Sequence, residues 1–457
     1  MYDLMVKNGK IVKSDEIFEG TIAISNGKIS KVVKGDEDLP SKAVVDAKGN
    51  LVMPGAIDTH VHFNDPGYEW REDFEHATAA AVLGGYTTII DMPLQNEPAL
   101  TNDKLFDIKE EKVSKEAYSD YCFWGGFVPE NFDDLKGLDE KGVVAFKSFL
   151  GPVSPDYTPL SYGKMYEGLE ILKELDARAG FHAEDFSVIK ERERVMQERG
   201  RLDWEGFLDS RPLSAELIAT RAVVDIAKEL NAKVHICHVS HPDVAQIVKD
   251  AQDEGYDITA ETCAHYLTFT REDVIKNGEL FKCAPPLRDQ KAVEGMWEHV
   301  KMGTFSGIAT DHSPCSYDEK YKEILGQKIN NVFDVWGGMS GVQSGVQAVI
   351  SEGINKRGVS PSIIVEAMCV KPAKTFGIYG RKGDIKEGFD ADLIIVDLEK
   401  EWEITSEELL YVNKMSGYVG LKGKGKTVTT ILRGKVVAED GKVVGEAGYG
   451  ELIKKIK

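Results

Sequence analysis

Two hydrophobic grammars share the chain. Up to about Leu51, short runs such as LMVKNGKIV, GTIAISNGKISKVV and KAVVDAKGNLVMPG alternate apolar with polar residues, with Asn-Gly and Lys-Gly turns between them. That is the period of strands with one buried face. The same alternation returns near the C-terminus in ADLIIVDL and VTTILRGKVVAEDGKVV. Residues 1–53 and 378–457 are therefore expected to build one small β-domain together, a β-sandwich. From 54 to 377 the pattern changes to short, nearly continuous apolar runs: YTTIIDM, YCFWGGF, VVAFKSFL, AGFHAED, KVHICHVS, DITAETCAHY and FSGIATDHSP. Helical patterns such as SYGKMYEGLEILKELDARA and SAELIATRAVVDIAKEL separate several of them. Repeated strand-helix units predict an α/β fold, a (β/α)8 TIM-like barrel. A doubly wound sheet is the alternative, but no Gly-rich fingerprint follows a strand to support dinucleotide binding.

Most of these apolar runs end in a residue that a buried strand has no packing reason to hold: His60 and His62, Lys147, His182, His238 and Asp311. Active sites of β/α barrels lie at the C-terminal strand ends, so six side chains distant in sequence would converge in one mouth. Alternation along a strand puts His60 and His62 on one face, roughly 6 to 7 Å apart, which suits two imidazoles on one metal. An HxH pair alone divides about evenly between that reading and a satisfied structural pair, and the Asp-Pro-Gly loop after it favours the metal.

Lys147 lies inside an apolar run, where an ammonium is expensive unless paired or chemically altered. A buried salt bridge is the ordinary explanation. Four histidines and an aspartate at neighbouring strand ends make carbamylation by carbon dioxide attractive instead, since it yields an anionic bridge between two cations. His182 and His238 each follow apolar strand residues, as ligands of a second metal would. His235 competes with His238 through a possible register shift, and His238 is preferred; His265 is close enough to a strand end to stand behind the ligands. Asp311 could ligate a metal and accept a proton from water. Without the other residues, Asp-His-Ser would read as a helix cap and turn.

A formal net charge of -20 disfavours partners that need a positive field, so neither nucleic acid nor an anionic membrane is expected. The lysines of LKGKGKTVTT read as a solvated turn or as part of the returning β-domain and not as a nucleic-acid patch. Six cysteines without paired short spacing suit a reducing cytoplasm. No run has the length of a signal peptide or membrane span, so a cytoplasmic location is expected.

On PGAIDTHVHF, the lysine of AFKSF, HAE, CHVS, CAPPLR, TDHSP and GRKGDIKEGFDADLIIVD, the chain resembles the cyclic amidohydrolases, the group holding dihydroorotases, hydantoinases (dihydropyrimidinases) and allantoinases. The resemblance covers nearly the whole chain. It implies two divalent metal ions per subunit, His60 and His62 holding one and His182 and His238 the other, with N6-carboxylated Lys147 between them. Asp311 would complete the first ion's shell and act as general base and acid, a bridging hydroxide attacking a ring carbonyl. Zinc is the first choice; cobalt, manganese, nickel or iron(II) fit the same donors. The resemblance also suggests a homotetramer.

Smaller differences separate the subgroups. A dihydroorotase has an arginine, as in HFREPG, where this chain has Asn64 in HFNDPG. DMPLQNEPALT, TDHSPC, VWGGMSGVQSGVQAV and KCAPPLRDQKAVEGMWE are similar to the allantoinase forms. The implied reaction is hydrolysis of the hydantoin ring amide of allantoin, a small uncharged partner, to allantoate. A hydantoinase-like cyclic imide hydrolase and a non-catalytic family scaffold are the alternatives. Asn64, Cys283, Ala284, Ser313 and Gly338 are candidate substrate contacts. GPVSPDYTPLSYG, rich in Pro, Gly and Ser, reads either as a mobile lid or as an ordinary barrel loop.

Overall fold

The computed structural model describes residues 1–35, 37–153, 157–321, 323–324, 327–328 and 331–456. Five strands open the chain: β1 (Tyr2–Val12), β2 (Ile17–Ser25), β3 (Lys28–Lys34), β4 (Ser41–Asp46) and β5 (Leu51–Pro54). Eight more follow as β6 (Ala56–Val61), β7 (Tyr86–Asp91), β8 (Asp120–Gly126), β9 (Ala145–Phe149), β10 (Ala179–His182), β11 (Val234–Ile236), β12 (Ile258–Cys263) and β13 (Gly307–Ala309). A two-strand ribbon, β14 (Glu323–Ile324) and β15 (Gln327–Lys328), precedes β16 (Leu393–Glu403), β17 (Lys422–Leu432), β18 (Lys435–Glu439) and β19 (Lys442–Val443).

The two grammars give two sheets. Strands β1–β5 and β16–β19 form one nine-stranded sheet, joined where β5 runs antiparallel to β16. Alternation buries Ile11, Ile22, Ile24, Val52, Leu393, Ile395 and Ile431 in a common apolar cluster. Strands β6 to β13 pair in chain order, all parallel, as an eight-stranded sheet. It closes where Val61 bridges His312 in parallel and the His62 N–H donates to the His312 carbonyl at 2.8 Å. The chain passes from one sheet to the other at Gly55, where a Cβ would sit 2.1 Å from the Thr87 hydroxyl oxygen, so only glycine fits.

Helices cover the barrel because their apolar residues recur at helical spacing. Ser161 caps the helix Tyr162–Glu174 by accepting from the Lys164 N–H, and Met165, Gly168, Leu169 and Leu172 are its buried face. Each large side chain so buried contributes about 1.5–3 kcal/mol. The strand ends therefore stand on a packed frame, which fixes the direction of the polar residues they carry. A buried ionic knot ties barrel to sheet: Lys382 lies on Asp120 of β8, at 2.7 Å from Asp392 and 3.0 Å from Asp390, and Arg433 of the β17–β18 turn also meets Asp120.

Candidate active site

All six polar residues singled out at the strand ends line one cavity of about 230 Å³ at the C-terminal end of the barrel. His60 is in β6 and His62 one residue beyond it, Lys147 is central in β9, and His182 ends β10. His238 and Asp311 each lie two residues past their strands, β11 and β13. Both have left-handed backbone, with φ of 38° and 46°. Non-glycine residues hold that conformation at a cost that surrounding packing must cover, a cost frequent at functional sites.

The rings cluster tightly. His60 is 5.2 Å from both His62 and His238 between ring centroids, and His182 meets His238 edge-on at 4.6 Å. The Nε2 atoms of His60 and His62 are each 3.4 Å from the same Asp311 oxygen. Burial, the largest cause, lowers the His60 pKa to about 4. Burial likewise lowers His182 and His238. Burial alone would raise Asp311, but His60 and His62 outweigh it and hold the carboxyl at about 2. At neutral pH His60, His182 and His238 are therefore neutral imidazoles beside an ionised Asp311 carboxylate, the protonation states a cation requires of its ligands.

A second layer aims the rings. Glu261 of β12, fully buried, lies 2.6 Å from His60 Nδ1, accepts from the Thr59 hydroxyl, and is 3.4 Å from His235 Nε2. Its carboxylate makes Nδ1 the protonated nitrogen of His60 and leaves Nε2 as the lone-pair nitrogen beside Asp311. Glu184 lies 2.8 Å from His182 Nε2 and accepts from Arg211 at 2.6 Å, which leaves Nδ1 of His182 for the cavity. Burial pushes Glu184 up, but Arg211 and His182 together bring it to about 2. His235 stands outside the cavity with its Nδ1 on the Thr259 hydroxyl at 2.8 Å. His265 is buried outside the cavity, near enough to Asp311 to feel its charge.

The unsatisfied atoms test whether metal ions suit this donor set. Lys147 is fully buried, and its Nζ has no hydrogen-bond partner among the described residues. A permanent ammonium there would lack the carboxylate that a buried charge needs. Nδ1 of His62 and of His238 are also buried without hydrogen-bond partners among the described residues. His60, His62 and Asp311 bring ligand atoms within 4.8 Å of one another. Imidazole and carboxylate donors so arranged fit divalent first-row cations.

The candidate substrate contacts divide. Ala284 and Ser313 line the cavity, and Cys283 lines an adjoining one. Asn64 and Gly338 line neither. The Asn64 amide turns back to donate to the His62 carbonyl at 2.9 Å, and Gly338 is packed on Ser313, whose oxygens a Cβ would meet at 2.5 Å. Leu94, Gln95, Trp336 and Gly337 line the cavity without having been singled out, although the tryptophan of VWGGM was a visible signal. In the loop read as a lid or barrel loop, Ser154, Pro155 and Asp156 lie outside the described residues. Just beyond them, the Tyr157 hydroxyl donates to the Lys147 carbonyl at 2.6 Å and accepts from the Phe127 N–H at 3.2 Å.

Comparison with known proteins places the fold and the family. The model of the amidohydrolase family matches residues 51–437. An allantoinase of Rubrobacter xylanophilus is 38% identical over 98% of this chain and 97% of its own. One of Bacillus licheniformis is 34% identical over 99% of both. Among solved structures, the L-hydantoinase (dihydropyrimidinase) of Arthrobacter aurescens superposes with a TM-score of 0.96 at 31% identity over the whole of both chains. With the family model covering most of the chain and relatives matching end to end, the chain belongs to the amidohydrolase family.

Proposed function

We propose that the chain is a metal-dependent hydrolase that opens the hydantoin ring of allantoin to allantoate. The observation that carries this reading is the convergence of four histidines, a lysine and an aspartate from five barrel strands on one cavity, in a chain whose full-length relatives are named allantoinases.

In this reading His60, His62 and Asp311 hold one divalent ion, zinc before the other first-row metals, and His182 and His238 hold the second. Lys147 would add a ligand as a carbamate, which forms when a neutral amine adds to carbon dioxide and loses a proton. When bound, the ions supply Lewis acidity that polarises the scissile carbonyl and makes water nucleophilic at neutral pH. Asp311 takes the proton from the attacking water. As the ring C–N bond breaks, Asp311 returns that proton to the departing nitrogen, so the ring opens to an N–H and a carboxylic acid, which then loses its own proton to solvent. Glu261 keeps His60 in one tautomer throughout. Ala284, Ser313, Trp336 and Gly337 line the cavity that would receive the ring.

The remaining extents follow the same reading: residues 54–377 as the catalytic barrel domain, 1–53 with 378–457 as the composite β-domain, and a cytoplasmic homotetramer. No helix among the described residues is long and apolar enough to cross a membrane. The hydantoinase alternative draws on the structural neighbour of Arthrobacter aurescens. A substrate panel of allantoin, hydantoin, dihydrouracil and dihydroorotate separates the two. The highest kcat/KM falls on allantoin; a maximum on hydantoin would move the assignment, and inertness on all four would favour a scaffold.

A further inference from the structure

Beside the histidine cavity lies a second cavity of about 390 Å³ that shares Pro152, Val153, Ala284, Trp336 and Gly337 with it. The two spaces adjoin at these shared residues. The rest of the second lining is largely charged: Arg211, Lys282, Glu193 and Glu319 gather around Phe207.

These groups are not equally free. The Lys282 ammonium is spent on the loop that carries Trp336, donating to the carbonyls of Val332 at 2.8 Å, Phe333 at 3.1 Å and Val335 at 2.6 Å. Glu319 is held by Arg71, with Nε at 3.1 Å from both of its oxygens. Arg211 keeps its Nε buried and unpartnered among the described residues, with one terminal nitrogen on Glu184. Glu193, on the helix Phe186–Glu198, is only loosely engaged at 3.4 Å from Arg211. The free functionality is therefore one guanidinium edge beside one carboxylate.

A carboxylate arm would pair with Arg211 but meet Glu193, and a cationic arm would pair with Glu193 but meet Arg211. An apolar arm would leave the guanidinium and carboxylate desolvated without compensation. A neutral group with a carbonyl acceptor and N–H donors satisfies both. Resting on the allantoin reading above, we propose that this second cavity is the subsite for the substrate's exocyclic ureido arm, its carbonyl accepting from Arg211 and its N–H groups donating to Glu193. The site then selects a substrate by its arm as well as its ring.

Arg211 also supports Glu184 and hence His182, so a change there would disturb the ring site too. Glu193 is the cleaner probe. The experiment measures kcat/KM for allantoin and for unsubstituted hydantoin in the metal-loaded wild type, Glu193→Ala, Glu193→Gln and Glu191→Ala, the last altering an exposed glutamate of the same helix. In Glu193→Ala the allantoin-to-hydantoin ratio falls about tenfold, through the KM for allantoin, as expected for a lost hydrogen bond to a charged group. Glu193→Gln falls less, and Glu191→Ala keeps the wild-type ratio. A Glu193→Ala ratio within about twofold of wild type, including proportional loss on both substrates, overturns the subsite while leaving the allantoin reading intact. A wild type that opens hydantoin but not allantoin overturns both.

Discussion

Replacing Glu261 by glutamine tests whether the second layer sets the chemistry of the first. The carboxylate is fully buried and collects the His60 imidazole, the Thr59 hydroxyl and, at longer range, His235. Glutamine keeps the shape but removes the charge and one of the two acceptor oxygens. At least one donor then loses its partner or faces an amide N–H. Loss of one charge-assisted hydrogen bond costs about 1.5–3 kcal/mol. Loss of a partner that orients a metal-ligating histidine lowers metal affinity or activity about 10- to 100-fold, or about 1.4–2.7 kcal/mol. The two figures agree because both describe one interaction at His60 Nδ1. The assay is competition for zinc against a chromogenic chelator, with kcat/KM measured on the reloaded protein and urea unfolding on the metal-free form. Affinity is expected to fall within that range and metal-free stability by about 2 kcal/mol. Glu261→Gln protein that binds zinc and turns over substrate within about twofold of wild type would refute the claim that Glu261 selects the His60 tautomer.

Lys147→Ala abolishes turnover and loses metal, and millimolar acetate or propionate restores part of both by standing in for the carbamate; full activity in the unsupplemented variant would remove the binuclear reading. Asp311→Asn retains metal by elemental analysis but lowers kcat about 10²- to 10⁴-fold, the usual worth of a positioned acid-base group; near-normal kcat would assign proton transfer elsewhere. Asp390 gives a pH test of stability. Burial pushes its carboxyl up, but Lys382, Lys28 and Arg381 outweigh it and hold the group below its ordinary value. A folded-state pKa below the unfolded value of about 3.9 means that the ionised pair stabilises fully above that pH and fades as pH falls through the folded value. Asp390→Asn is therefore less stable than wild type by about 1.5–3 kcal/mol at pH 7, and urea midpoints of the two converge as pH falls through the lowered folded-state value; a gap independent of pH would exclude the charge as its source.

Much of this molecule was legible before any coordinates. Alternation marked the strands of the nine-stranded sheet, and apolar runs marked β7 to β13, because burial on one face or on both writes those two patterns directly. His60, His62, Lys147, His182, His238 and Asp311 stood out since each breaks an apolar run, and all six line one cavity. Glu261 broke its run in the same way, in AETC, yet it points to the back of His60 instead of into the cavity. Periodicity reports burial and not which buried neighbour a side chain meets. Asn64 was legible as a loop position but not as a residue folded back on its own backbone. Trp336 reaches the cavity through a loop that Lys282 and Lys320 anchor by backbone carbonyls, an arrangement without a periodic trace.

The central claim is that this cavity hydrolyses allantoin through metal ions held by its histidines, Lys147 and Asp311. The most direct measurement is allantoate formation from racemic allantoin by metal-depleted protein, before and after resupply of zinc or another divalent ion with bicarbonate. The account predicts negligible activity in the depleted protein and recovery on resupply, faster with bicarbonate than without. Undiminished turnover after complete metal removal, or none after reloading to two ions per subunit, would contradict it.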